Sequence, residues 1–140
     1  MTQGLILGAG KSSGSLIQYL QRWGGCDIVL ADVSSDQLAA YTGSLKTVLL
    51  KPDDHQMRYK LIRESYLVIS FLPAMMHPAV ANDCLEAGVH MATASYVSDA
   101  MRELEPKIKE KGLWFMNECG LDPGLDHMSA MQMFKNIRNE

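Results

Sequence analysis

Cysteine is scarce in this 140-residue chain, and the three present, Cys26, Cys84 and Cys119, are odd in number and far apart. That argues against a disulfide framework and against a Cys-x-x-Cys metal clip, and makes a reducing, cytoplasmic setting the default. No apolar run approaches the ~20 residues needed to span a bilayer. The amino terminus carries no basic segment ahead of its short apolar run, so neither a membrane anchor nor a signal peptide is expected. A strong excess of one charge is missing too. The net charge of −3 offers no electrostatic footprint for nucleic acid or an anionic membrane. Repeats, low-complexity tracts and linkers are absent, and the length is that of one domain. Hydrophobic residues at 47% and charged residues at 21% place the chain among globular proteins with a real core. Its ten methionines are expected as adaptable core filler and not as metal ligands.

What the sequence does contain is a repeated alternation. Short β-rich runs occur at Leu5–Leu7, Ile28–Ala31, Thr47–Leu50, Leu67–Phe71, His90–Ala94 and Trp114–Asn117. Most are continuous apolar runs, the pattern of strands buried on both faces of a parallel sheet. Helical windows lie between them: Ser12–Trp23, Ser35–Tyr41, Asp53–Glu64, Pro78–Ala87, Ser98–Lys111 and, last, Asp126–Ile137. Gly24, Gly43, Gly88 and Gly112 are placed as stop signals, and Ser98 as an N-cap. This alternation predicts an α/β fold: a doubly wound, Rossmann-like parallel sheet of about six strands with helices on both faces. Residues 1–140 read as one dinucleotide-binding domain.

The chemistry begins at the first turn. Residues 8–14 read Gly-Ala-Gly-Lys-Ser-Ser-Gly between an apolar strand and a helix. Gly8 permits the tight turn, Gly10 permits close approach of a pyrophosphate, and the helix start offers free N–H groups to the anion. Ser13 stands where the usual fingerprint has a third glycine or alanine; it is small enough to preserve helix–strand packing. About 20 residues downstream, Asp32 ends the second run, where an acid would accept hydrogen bonds from the adenosine ribose and repel a 2′-phosphate. Val33 follows it, with no arginine there to pair with such a phosphate. These residues favour NAD over NADP. A methyltransferase also uses a glycine turn and an acid after its second strand, so the later segments must decide.

Ligands in open α/β sheets bind outside the carboxyl ends of the strands. Three segments fall there: Ser70-Phe71-Leu72-Pro73 with His77-Pro78, then Thr93-Ala94-Ser95-Tyr96-Val97-Ser98, then Asn117-Glu118-Cys119-Gly120-Leu121-Asp122-Pro123-Gly124-Leu125-Asp126-His127. The last resembles the Asn-Glu-x-Gly-Leu-Asp-Pro-Gly-x-Asp-His signature of the saccharopine dehydrogenase family, and the other two match that family's neighbouring segments in order and spacing. The resemblance covers almost the whole chain and points to the glutamate-forming branch.

The resemblance implies an oxidoreductase of lysine metabolism. It would oxidise the secondary amine of saccharopine to an imine that hydrolyses to aminoadipate semialdehyde and glutamate, with NAD taking the hydride. By the same resemblance Gly8, Gly10, Lys11, Ser12 and Ser13 hold the pyrophosphate, and Asp32 and Val33 meet the adenosine. Leu72 and Pro73 flank the nucleotide. Ser95 and Tyr96 meet the substrate, Ser95 also touching the nicotinamide ribose. Leu121, Asp122 and Pro123 form a cofactor-contacting turn from which Asp122 also reaches the substrate amine. Asp122 and Tyr96 are the catalytic candidates, with the general base left open; no metal is implied. Ala74-Met75-Met76 and Leu50-Lys51-Pro52-Asp53 depart from the family pattern, which touches substrate-side packing and adenine contacts respectively. Asp126 has an alternative reading as a helix cap, His77 as a packing residue, and Cys119 has no adjacent base to make it a nucleophile. Family members are longer, with a second domain that supplies a carboxylate-gripping arginine and homodimer contacts. The chain is therefore expected to be incomplete as a catalyst and to expose apolar residues around Met128, Met131 and Phe134. Two other readings stay open: a non-catalytic NAD-binding module, and a dehydrogenase acting on another amine conjugate.

Overall fold

Where an apolar run ends up depends on how many layers cover it, and this sheet is not covered evenly. The computed structural model describes residues 3–138. All six expected runs are strands: β1 (Gln3–Leu7), β2 (Asp27–Asp32), β3 (Lys46–Leu49), β4 (Leu67–Ser70), β5 (His90–Thr93) and β6 (Phe115–Met116). They form one all-parallel sheet in the order β3-β2-β1-β4-β5-β6. The chain starts at the centre, builds outward to β3, then crosses back to lay β4 on the other side of β1. The carboxyl ends of β1 and β4 therefore diverge into loops of opposite direction, the topological switch point where such sheets open a crevice. The doubly wound Rossmann-like expectation is met.

Two helical layers pack on the sheet. On one face lie α1 (Gly14–Trp23) and α2 (Ser35–Ala39), burying Ile17 and Leu38 against Ile6, Ile28 and Leu30. On the other lie α3 (His55–Arg63), α4 (His77–Ala87), α5 (Asp99–Glu103) and α6 (Glu105–Glu110). Ile62, Val80, Cys84 and Met101 there meet Leu5, Val29, Val68 and Met91. Each fully buried Leu or Ile of these layers contributes about 1.5–3 kcal/mol relative to exposure. Only β1 and β2 are buried on both faces along most of their length. β4 and β5 alternate buried with half-buried residues, so the outward side chains Leu67, Ile69, His90 and Ala92 are only partly covered. The expectation that most runs are buried on both sides thus holds for the centre of the sheet and fails at β3 to β5.

Several expected boundaries move for local reasons. The window Ser98–Lys111 is two helices, not one, with the break at Leu104. Pro106 has no N–H to give the carbonyl four residues back, so the helix restarts there. Ser98 does cap α5, its hydroxyl accepting from Met101 N–H at 3.3 Å. The α1 helix begins at Gly14 rather than Ser12, because Ser13 is still part of the turn. The methionine expectation is overturned: Met91 and Met101 are core, but Met57, Met75, Met116, Met128, Met131 and Met133 are exposed. Three of these sit on α7 (Leu125–Arg138), which among the described residues buries no side chain. The patch expected around Met128, Met131 and Phe134 is present and extends to Ile137.

Candidate functional site

The crevice at the switch point is walled by four loops, and the first is the glycine turn. Gly8 has φ +103°, and a Cβ there would sit 3.2 Å from the Phe71 backbone, so glycine is required twice over. Gly8 N–H donates to Ala31 C=O at 2.8 Å, tying the turn to β2. At Gly10 a Cβ would project into open space. Its side-chain vacancy therefore matters to what approaches from outside, as a pyrophosphate would. Ser13 is fully buried and its hydroxyl donates inward to Gly10 C=O at 2.9 Å. It shapes the turn from within, and its side chain is not available to a ligand. No side chain caps α1, so its first N–H groups are free to meet an anion.

Asp32 closes the second wall. Its carboxylate accepts from Ala9 N–H at 2.6 Å and from Ser34 N–H at 2.7 Å. The acid thus points back at the glycine turn and staples the loop after β1 to the loop after β2. Each carboxylate oxygen can accept more than one hydrogen bond, so room for ribose hydroxyls remains. Val33 lies exposed beside it.

The remaining loops enclose a cavity of about 520 Å³ lined by Ser12, Ser70, Leu72, Ser95, Tyr96 and Asp122, with Pro123 at its edge. Of the other expected cofactor residues, Gly8, Gly10, Ser13 and Asp32 lie outside its lining, and Lys11, Val33, Pro73 and Leu121 are exposed and do not line it either. A cavity of about 710 Å³ opens at the opposite, amino-terminal edge of the strands, away from the convergent loops and the free start of α1. Size alone does not identify the site; the smaller cavity lies at the carboxyl ends of the strands, beside the Tyr96–Asp122 pair. Ser70 is 1% exposed, and its hydroxyl has no partner among the described residues although the residue borders this cavity. Nothing in the sequence around Ser70 assigns it a role. An orphaned buried hydroxyl is the signal that only coordinates reveal.

Across the cavity mouth the Tyr96 hydroxyl donates to Asp122 Oδ1 at 2.8 Å, joining residues far apart in sequence. That hydrogen bond, with some burial and the charges of Asp122, Asp126 and Glu118, holds the Tyr96 phenol above its usual range, so the pair rests as neutral phenol and carboxylate. Glu118 places the pair. It has φ 61°, its N–H donates to Ser95 C=O at 3.0 Å, and its carboxylate accepts from Val97 N–H at 3.2 Å. It was passed over in the sequence, where it stands inside the Asn-Glu run without an assigned task. The Asp122-Pro123 peptide is cis. Asp126 accepts from Gly124 N–H at 2.8 Å, so it closes this turn from inside the first turn of α7. Partial burial pushes the Cys119 thiol up, opposite to the activation a nucleophile needs.

A glycine turn, an acid at the end of β2 and a cavity at the switch point define a nucleotide-binding doubly wound domain. The family can be stated as well. Residues 5–116 match the model of the saccharopine dehydrogenase NADP binding domain, and this chain belongs to that family. The mitochondrial alpha-aminoadipic semialdehyde synthase of Mus musculus is 40% identical over 131 residues, which are 91% of this chain and 14% of that protein. The saccharopine dehydrogenase [NADP(+), L-glutamate-forming] of Saccharomyces cerevisiae is 32% identical over 135 residues, 95% of this chain and 30% of that protein. The apo structure of the L-Glu-forming saccharopine dehydrogenase from Saccharomyces cerevisiae superposes with a TM-score of 0.89 at 30% identity, over 99% of this chain and 32% of that one. The chain spans a third or less of each of these proteins.

Proposed function

We propose that this chain is the dinucleotide-binding part of an NAD-dependent dehydrogenase acting on the secondary amine of saccharopine. The observation that carries the reading is the Tyr96–Asp122 pair, which borders a cavity at the carboxyl ends of the strands that Ser12 of the first turn also lines. The residues present fit a dinucleotide: open space at Gly10, an uncapped start to α1, and the orphaned Ser70 hydroxyl beside the cavity. When bound, the nicotinamide supplies a two-electron acceptor for the hydride that leaves the carbon next to the substrate nitrogen.

The chain's own residues do the rest. Gly10 and the first N–H groups of α1 receive the pyrophosphate, and Asp32 receives the ribose. Ser95 and Tyr96 border the cavity where the amine would lie. Asp122, as a carboxylate, stabilises a cationic secondary amine and is placed to take its proton as the amine becomes an imine. Tyr96 keeps its own proton in this arrangement and serves as a donor that orients Asp122. Water then splits the imine to aminoadipate semialdehyde and glutamate. The arginine grip on substrate carboxylates and the homodimer contacts belong to a second domain in this reading, so the chain alone turns over saccharopine poorly or not at all. Strong turnover by the 140 residues by themselves contradicts that part.

The choice of NAD rests on Asp32. The family description and the yeast relative's name both specify NADP. In this chain the β2 acid stands beside the glycine turn, where its charge opposes a 2′-phosphate, and exposed Val33 offers no cation in return. Separate calorimetric titrations with NAD and NADP test it. NAD binds at least about tenfold tighter, a difference of about 1.4 kcal/mol. Asp32→Ala removes that preference and weakens NAD. Equal or tighter binding of NADP by the unaltered chain overturns the choice.

A further inference from the structure

A buried histidine lies between the loop after β4 and the end of β5. His77, at the start of α4, is 2% exposed, as is Thr93, at the end of β5. His77 Nε2 lies 2.9 Å from Leu72 C=O, which can only accept, so Nε2 carries the proton. With Nε2 protonated on a neutral ring, Nδ1 is the acceptor, and the Thr93 hydroxyl lies against the ring, 3.2 Å from Nδ1 and 3.5 Å from Nε2. The Thr93 oxygen in turn accepts from Ser95 N–H at 3.2 Å. Two directions in this chain of contacts are fixed by chemistry, Ser95 N–H to Thr93 and His77 Nε2–H to Leu72, and the Thr93 hydroxyl joins them at the ring. Burial lowers the imidazole pKa, which keeps the ring neutral, as the chain requires. Leu72, Thr93 and Ser95 all line the cavity, while His77 stays out of it.

We infer that His77 is a positioning residue: through Thr93 it holds the loop after β4, which carries Leu72, in register with the loop after β5, which carries Ser95 and Tyr96. The inference rests on the proposed nucleotide site for its effect on binding, but not for its geometry. It explains why a polar ring occupies a core position that a leucine would fill as well. A chain of satisfied hydrogen bonds in a dry core defines relative position more sharply than apolar packing does.

The test uses the whole chain and three variants. His77→Leu keeps volume and deletes both bonds. Thr93→Val deletes the hydroxyl alone. His77→Gln supplies an N–H donor and an oxygen acceptor on one side chain. Calorimetry with NAD should show a loss of about threefold to tenfold for His77→Leu, the size of one or two neutral hydrogen bonds. Thr93→Val should lose a similar amount, the double variant little more than either alone, and His77→Gln should recover part of the loss. Nitrogen-15 spectra of the unaltered protein should show a neutral ring protonated at Nε2. Full NAD affinity in a folded His77→Leu, or additive losses in the double variant, overturns the inference. Should the unaltered chain bind no nicotinamide dinucleotide, the proposed function fails and amide spectra decide this point alone. Thr93→Val must then shift the amides of residues 72–77 as well as Ser95; confinement of the change to Ser95 overturns it.

Discussion

Two turns frame the crevice, and they are held in different ways. The glycine turn after β1 is anchored to buried strands on either side. Gly8 bonds to Ala31, Ala9 to Asp32, and Phe71 N–H to Leu7 C=O right beneath it. The turn between β6 and α7 is held largely by itself. Gly120 N–H meets Pro123 C=O at 3.0 Å, Leu125 N–H meets Gly120 C=O at 3.0 Å, and Gly124 N–H meets Asp126. Its ties to the sheet run through Glu118 and Cys119, whose N–H groups reach Ser95 and Thr93. Beyond it α7 buries nothing among the described residues. The first turn is preformed by the core. The second keeps its own shape and owes its location to a few hydrogen bonds that Glu118, Cys119 and Asp122 make with the end of β5 and the loop after it.

The sharpest way to break this contrast is a methyl group in each turn. Gly8→Ala puts a side chain at φ +103° against the Phe71 backbone, with no freedom to retreat. It should cost about 2–3 kcal/mol of global stability and abolish dinucleotide binding. Gly124→Ala is worse on local geometry, since the added carbon collides with the Gly120 carbonyl oxygen at φ +144°. Yet the turn can open without disturbing the sheet, so the global cost should stay under about 1 kcal/mol. Urea unfolding of both variants checks this. A larger loss for Gly124→Ala would mean that the second turn is as much a part of the core as the first.

A smaller effect separates the two through pH. Burial, partly offset by the bond to Leu72, sets the folded His77 pKa below its ordinary 6.5. A lowered folded value means the unfolded chain binds the proton first. The stabilisation is full above pH 6.5 and declines as pH falls toward and through the depressed value, by at most about 1.4 kcal/mol per pH unit. His77→Gln should flatten that slope. An unchanged slope in the variant assigns the acid sensitivity to other groups. The mildest effect is spectroscopic. Phenolate absorbance should show Tyr96 titrating above the ordinary tyrosine range, and Asp122→Asn should bring it back down. Tyr96 is solvent-accessible, so little stability should accompany that change, and titration at the ordinary value would mean that the pair is open in solution.

The residues explain how much of this was readable beforehand. The glycine turn, Asp32 and the six strands are written locally: a turn needs glycine at particular positions, and a buried strand needs a run of apolar side chains. The split of the helix at Pro106 was also readable and was passed over. The exposed methionines depart from the core role expected of them because composition says what a side chain prefers, not what lies beside it. Glu118, Ser70 and the Thr93–His77 link had no signal in the sequence, since their partners lie on other loops.

The sequence by itself determined the strand–helix alternation and the chemistry of the first turn, because both arise from contacts between near neighbours and from backbone sterics. Which residues meet across the crevice, which face of the sheet stays half-open, and where each buried polar group finds its partner were decided only when the crossover from β3 to β4 brought distant segments together. Hydrogen bonds of about 3 Å are matters of position, and position between loops is a property of the folded chain.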